Sequence, residues 1–214
     1  MQRPRATRLL SALVAAGLAV AAAGVVAGVE DDYRDATAAF RRGDMNTAVK
    51  TLQRGSDAGH VPSMLLLGYL FEQASLDSQA VAVYRKAAAA GSADGDVGLA
   101  GMVAAGKGTP RDVSAALRLY ESAAARGNAT AINVLAQAYI GGTLGLTPAA
   151  RDDAKALAAI RRAAEQGYGP ASEALARAYT RGDFGLTPDP SEAARWQSKK
   201  AMDKAPPAAV EVRR

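Results

Sequence analysis

The chain has 214 residues, 49% of them hydrophobic but only 5% aromatic, with no cysteine and a single histidine, His60. The missing cysteines exclude a disulfide framework, a thiolate metal site and a cysteine nucleophile, and one histidine leaves little for triads or transition-metal sites. The formal charge is +5, but Arg3, Arg5 and Arg8 fall in the first 28 residues, which hold no acid. Without those three the balance is +2 with both signs interspersed, so the basic stripe of a nucleic-acid binder is missing.

The N-terminal segment comes first. After Arg8, residues 9–28 read LLSALVAAGLAVAAAGVVAG without a charge. A basic start, an apolar stretch and small residues have the layout of a secretory signal, cleaved after Gly28 or after Ala23. The alternative is an uncleaved anchor, because about 20 uncharged residues can just span a bilayer. Alanine and glycine make it weakly hydrophobic for that role. Under either reading the arginines hold the N-terminus inside. The rest of the chain is then expected outside the cytoplasm, periplasmic or secreted, or held at the inner membrane. Without a cysteine behind the apolar stretch, a bacterial lipoprotein is excluded.

Beyond residue 28 the sequence predicts helix pairs. The first unit, 29–59, places Ala36, Phe40 and Gly43 on a helix A, then Ala48 and Leu52 on a helix B that ends at Gly59. Gly59 is the first of a series with Gly91, Gly127 and Gly167, spaced 32, 36 and 40 residues apart. Seven residues before each stand Leu52, Tyr84, Tyr120 and Ile160, and alanine fills most places three and four before. This is an amphipathic helix B closed by a glycine at the position where φ > 0 is needed.

Eight residues after each glycine stand Leu67, Leu99, Leu135 and Leu175; one further on are Gly68, Ala100, Ala136 and Ala176. Twelve after are Phe71, Val103, Tyr139 and Tyr179. These offsets share one face of a helix A, which ends at offset 15 with Ala74, Gly106, Gly142 and Gly182. Further units are thus predicted at 60–91, 92–127, 128–167 and 168–205. The last helix B spans about Ser191 to Ala205, with Ala193 and Trp196 in core places and Arg195, Lys199, Lys200 and Lys204 on a solvent face. Pro206-Pro207 breaks it, and residues 206–214 are expected to be a disordered tail.

Length varies in the A-to-B loop. It is short at Gly43-Asp44-Met45, longer at 106–112 and longest at 141–148, whose end is nearly copied at 183–188. Such extensions cost little entropy and are expected to project from one edge of the stack.

The pattern Ala/Gly-x3-Leu-Ala/Gly-x2-Tyr-x2-Gly, then Asp, then Ala-x3-Tyr-x2-Ala-Ala-x2-Gly resembles the Sel-one-like repeat (SLR). That is a variable-length relative of the tetratricopeptide repeat. The resemblance covers roughly residues 31–205; the second unit has Ala74 in place of the loop glycine, and the first is degenerate. It implies an all-α, right-handed α/α superhelical solenoid of about five helix pairs. It also implies a non-catalytic adaptor, since SLR proteins hold partners, and many bacterial members are exported. Some support secretion of exopolysaccharides such as alginate, some regulate signalling receptors, and some act in host contact. A cysteine-rich branch linked to penicillin binding depends on disulfide-paired helices, so that role does not carry over.

A solenoid of this kind has a curved inner surface lined by one stripe of its A helices. Offsets 6, 10 and 13 supply that stripe: Leu65, Tyr69 and Glu72; Val97, Gly101 and Ala104; Asn133, Gln137 and Ile140; Glu173, Arg177 and Thr180. Leu65, Tyr69, Glu72, Asn133, Gln137, Glu173 and Arg177 are the candidate binding residues, for an extended peptide or helix. No catalytic residue, metal site or cofactor is expected. The partner is another protein in the bacterial envelope, not nucleic acid, with membrane contact only through a retained anchor. A more specific form makes the protein an accessory of exopolysaccharide or cell-wall biosynthesis or secretion machinery. A peptidoglycan-acting enzyme is the alternative of a different class, and it would need paired carboxylates facing a cleft.

Other features read as structure. His60, after a helix-ending glycine, is expected to be a solvated loop residue. Glu121-Ser122 reads as an exposed helix position, Asp31-Asp32 and Asp152-Asp153 as acidic pairs at helix starts, and Gly106-Lys107-Gly108 as a repeat loop without the amides of a phosphate cradle.

Overall fold

In the computed structural model the structure describes residues 28–203. The expected signal or anchor, apart from Gly28, and the tail at 206–214 lie outside them. Ten α-helices follow one another: α1 (28–41), α2 (Met45–Asp57), α3 (Val61–Gln73), α4 (Asp77–Ala89), α5 (Ala93–Ala105), α6 (Val113–Ala125), α7 (Ala129–Gly141), α8 (Asp153–Glu165), α9 (Gly169–Arg181) and α10 (Pro190–Asp203). A turn of 3-10 helix, Asp183–Gly185, precedes α10, and no strand occurs among the described residues. Odd-numbered helices are the A members and even-numbered the B members. From α2 onward each helix packs on the next, and α3 also meets α5 and α7 meets α9. The A helices therefore share the inner track of an all-α solenoid.

Local chemistry starts and stops these helices. Asp44, Ser92, Asp112, Asn128 and Asp152 each accept a hydrogen bond from the amide three residues on, at 2.8–3.1 Å. α3 and α9 lack such a cap and open on Pro62 and Pro170 instead, where a missing amide costs nothing. At the other end, Gly59, Gly91, Gly127 and Gly167 have φ between +84° and +89°. The residue after each glycine donates back to Gly55, Ala87, Ala123 or Ala163 at 2.9–3.1 Å. These are Schellman turns, and they satisfy the last carbonyls of every B helix from α2 to α8.

The same turns explain the alanines. Each brings the end of helix B across the start of the next helix A, at backbone contact. A methyl at Gly95 would lie 2.6 Å from the Ala88 amide nitrogen and 2.8 Å from Ala87 Cβ; one at Gly55 would lie 2.8 Å from Ser63 Cβ. Only small side chains fit at this crossing. Further along helix A, Leu67, Leu99, Leu135 and Leu175 are at most 8% exposed, each contributing about 1.5–3 kcal/mol of apolar burial. The offsets 9 and 12 join them in the core or at its edge.

The loops do not project. The 106–112 loop lies against the start of α4, where a methyl at Gly108 would sit 2.6 Å from the Ser78 amide nitrogen. The 141–152 loop buries Leu146 and brings Gly145 beside Val113 at the start of α6. Phe184, from the last loop, stacks under the Arg151 guanidinium at 4.2 Å, next to the start of α8. Each extension thus braces the B helix of the unit before it. Length alone suggested free projection; the apolar Leu146 and Phe184 make folding back the lower-energy course.

Candidate functional site

Among the predicted stripe residues, Tyr69, Gln137, Glu173 and Arg177 are exposed, whereas Leu65, Glu72 and Asn133 are half-buried. Tyr69 is 45% exposed, unusual for so large an apolar ring. All seven lie on α3, α7 and α9, and α7 is in contact with α9. Asn133 Oδ1 is buried without a hydrogen-bond partner. On α5 the stripe is formed by Val97, Gly101 and Ala104, so side chains are short there.

The B helices contribute more to this face than sequence reasoning gave them. Tyr84 and Tyr120, seven residues before their glycines, were expected in the core, and their rings are there, 6% and 8% exposed. Their hydroxyls, however, come through between the A helices. The Tyr84 ring is held between α3 and α5 because Gly68 and Gly98 have no side chain; a methyl at either would lie 2.7 or 2.6 Å from the ring. Its hydroxyl donates to Glu72 Oε2 at 3.3 Å. Burial first, then the Glu72 charge, raises the Tyr84 pKa far above the ordinary phenol value. The Tyr120 hydroxyl lies under Gly101, 3.7 Å from where a methyl there would sit, and burial raises its pKa as well. Both hydroxyls are neutral donors at physiological pH. The aromatic residue at offset −7 was visible in the sequence, but the gaps it reaches through depend on helix spacing.

The outer face is different in kind. Between α6 and α8, over α7, runs a groove of about 310 Å³ with Ile132, Leu135 and Tyr139 as its floor. Glu121 stands on one wall, and Lys155 and Arg162 on the other. A wider groove of about 680 Å³ follows α2, with Met45 and Leu76 at one end.

His60 departs from expectation. Its Nδ1 is 2.8 Å from Ser63 Oγ, its Nε2 is 3.2 Å from Glu30 Oε1, and Tyr33 meets its ring edge-on at 5.4 Å. The set contains the residue types of a hydrolase triad. Yet Ser63 is 1% exposed beneath the α2 backbone at Gly55, so no substrate reaches its hydroxyl. The histidine ties α1 to α3. Three other expectations agree with the structure: Glu121 is exposed, Asp152 caps α8, and Trp196 is 3% exposed in the core. Among the described residues no three His, Asp or Glu side chains converge as a metal site would require.

Comparison with known proteins agrees with this architecture. The Sel1 repeat model matches residues 97–128, 129–168 and 170–199. A Sel1 repeat protein from Oxalobacter formigenes is similar over 81% of this chain and 73% of its own, with 24% identity and a TM-score of 0.66. The protein c5321, a protective antigen present in uropathogenic Escherichia coli strains and displaying an SLR fold, is similar over 74% of this chain, with 28% identity and a TM-score of 0.62. The match spans only 34% of c5321. No curated protein matches the chain. Sel1 repeats generally mediate protein–protein interactions and are generally non-catalytic scaffolds. With helix pairs, glycine turns and repeat model in agreement, the chain is a Sel1-like repeat protein.

Proposed function

We propose that this protein is a non-catalytic adaptor of the bacterial envelope, which grips a protein partner on the inner face of its A helices. One observation carries the reading: exposed Tyr69, Gln137, Glu173 and Arg177 occupy equivalent or neighbouring inner-stripe places on three A helices, α3, α7 and α9. A large half-exposed ring at one end and polar groups at the other suit an extended, amphipathic segment, since buried aromatics anchor interfaces and polar rims orient them. Export rests on the charge-free stretch at 9–28 behind three arginines. An accessory role in exopolysaccharide or cell-wall machinery is the more specific form of the same proposal.

The test is to crosslink the full chain in its own cells and recover what is attached. Replacing Asn133 and Gln137 by Ala together with Arg177→Glu is expected to abolish recovery of the main adduct while the protein remains folded. Unchanged recovery would sink the inner-face reading.

A further inference from the structure

The inner face carries a matched pair of sites that differ in two side chains. In the first, between α3 and α5, the Tyr84 hydroxyl donates to the Glu72 carboxylate at 3.3 Å, with Tyr69 one turn earlier on the same helix. In the second, one repeat on, Tyr120 stands in the place of Tyr84. The residues corresponding to Glu72 and Tyr69 are Ala104 and Gly101. The carboxylate and the ring have both been deleted.

What remains is a shallow well at Gly101, open except for the hydroxyl beneath it, with half-buried Val97 and Ala104 one turn to either side on α5. Tyr120 is 8% exposed, and its oxygen is the nearest atom to the missing Gly101 side chain, at 3.7 Å. Its hydroxyl has no hydrogen-bond partner among the described residues and is not sealed from water, so the bond that Glu72 makes one repeat earlier is open here to a group from outside. A water-reached hydroxyl beneath small residues can exchange its water for an acceptor from outside, and a bond from a neutral hydroxyl to a carboxylate is charge-assisted. The preceding repeat shows which acceptor the geometry suits.

We propose that the well receives a glutamate or aspartate side chain of the partner, whose carboxylate takes the position at Tyr120 that Glu72 takes at Tyr84. An apolar residue beside that acid covers Val97 and Ala104. Repeat two closes its own site and repeat three leaves it for the partner, so the two together set the register in which an acidic segment lies along the solenoid. This rests on the inner-face reading above and names the partner chemistry it selects.

Short random peptides displayed on phage, selected against the full chain, test it. Displayed peptides have no free C-terminus, so an enriched acid reports a side chain. The expected result is enrichment of Glu or Asp beside an apolar residue. Binding of a recovered peptide should weaken about tenfold or more on Tyr120→Phe, which keeps the ring, and on Ala104→Glu, which refills the well from within. Changing the peptide's acid to Gln should cost as much against the native chain but nothing further against Tyr120→Phe. Thermal unfolding of both variants checks that the fold is intact.

A selection without acid enrichment overturns the proposal, as does an acid whose loss costs the same with or without the Tyr120 hydroxyl. If both well variants bind normally while Gln137→Ala with Arg177→Glu does not, the inner face stands and the acid site falls. If none of these changes matters, both fall.

Discussion

Each repeat has two turns, and they obey different rules. The B-to-A turn is the same at Gly59, Gly91, Gly127 and Gly167, to within a few degrees of φ and a few tenths of an ångström in its hydrogen bonds. The A-to-B connection runs from the short Gly43-Asp44 to the dozen or so residues after α7. The difference follows from what each turn holds. The first brings two backbones into contact through alanine and glycine, so one added atom is felt along the whole stack. The second leans a loop on the previous B helix through one or two apolar side chains, and lengthening it costs only loop entropy.

The largest effect should come from the close crossing. Gly95→Val would push a branched side chain against the Ala87–Ala88 backbone, which cannot yield as a flexible side chain would. A loss of about 3 kcal/mol or more is expected, read from chemical or thermal unfolding. Inserting Gly-Ser between Ala149 and Ala150 should cost less than about 1 kcal/mol in the same assay. Equal losses would break the comparison.

Next comes the turn itself. Gly127 has φ +88° and nothing within 4 Å of an added methyl. Gly127→Ala therefore isolates the backbone penalty, about 1–2 kcal/mol. A neutral outcome would show that the glycines are not held for their conformation.

Much of this was legible in the sequence. The glycine register, the alanines before it and the leucines after it located the helices and the core, because a helix C-terminus and a close crossing each admit few residue types. Trp196 and Glu121 were placed correctly for the same reason: helical periodicity alone decides which face is buried. The loops and His60 were not. Whether a loop projects depends on whether Leu146 or Phe184 finds a surface, and His60 is half-buried against α1, thirty residues away. The Tyr120 well was hidden because the short residues Gly101 and Ala104 read as a gap only when set beside Tyr69 and Glu72 in the preceding repeat.

Close packing on the glycine side also sets a pH dependence. Burial raises the Tyr84 pKa above that of an unfolded tyrosine, near 10. Above about pH 10 the unfolded chain ionises while the folded one does not. The stability present below that pH should then be lost as the pH climbs toward the folded value. Tyr84→Phe should flatten the alkaline fall in thermal midpoint; an unchanged slope would show that Tyr84 is not its source.

The smallest effect is expected at the one A-helix end that lacks its glycine. There the left-handed residue is Ser75, at φ +56°, one place after Ala74, which stands where later units have their glycine. Ser75→Gly should stabilise by up to about 0.5–1 kcal/mol, with part of the gain returned as unfolded-state entropy.

The inner face as the partner-binding surface is tested most directly by position-specific crosslinking in cells. A photo-reactive residue replaces either Gln137, on the inner stripe of α7, or Ala158, on the outer groove beside α8. A defined partner adduct at Gln137 and none at Ala158 is the expected result. An adduct at Ala158 alone would place the partner on the outer groove and contradict the account.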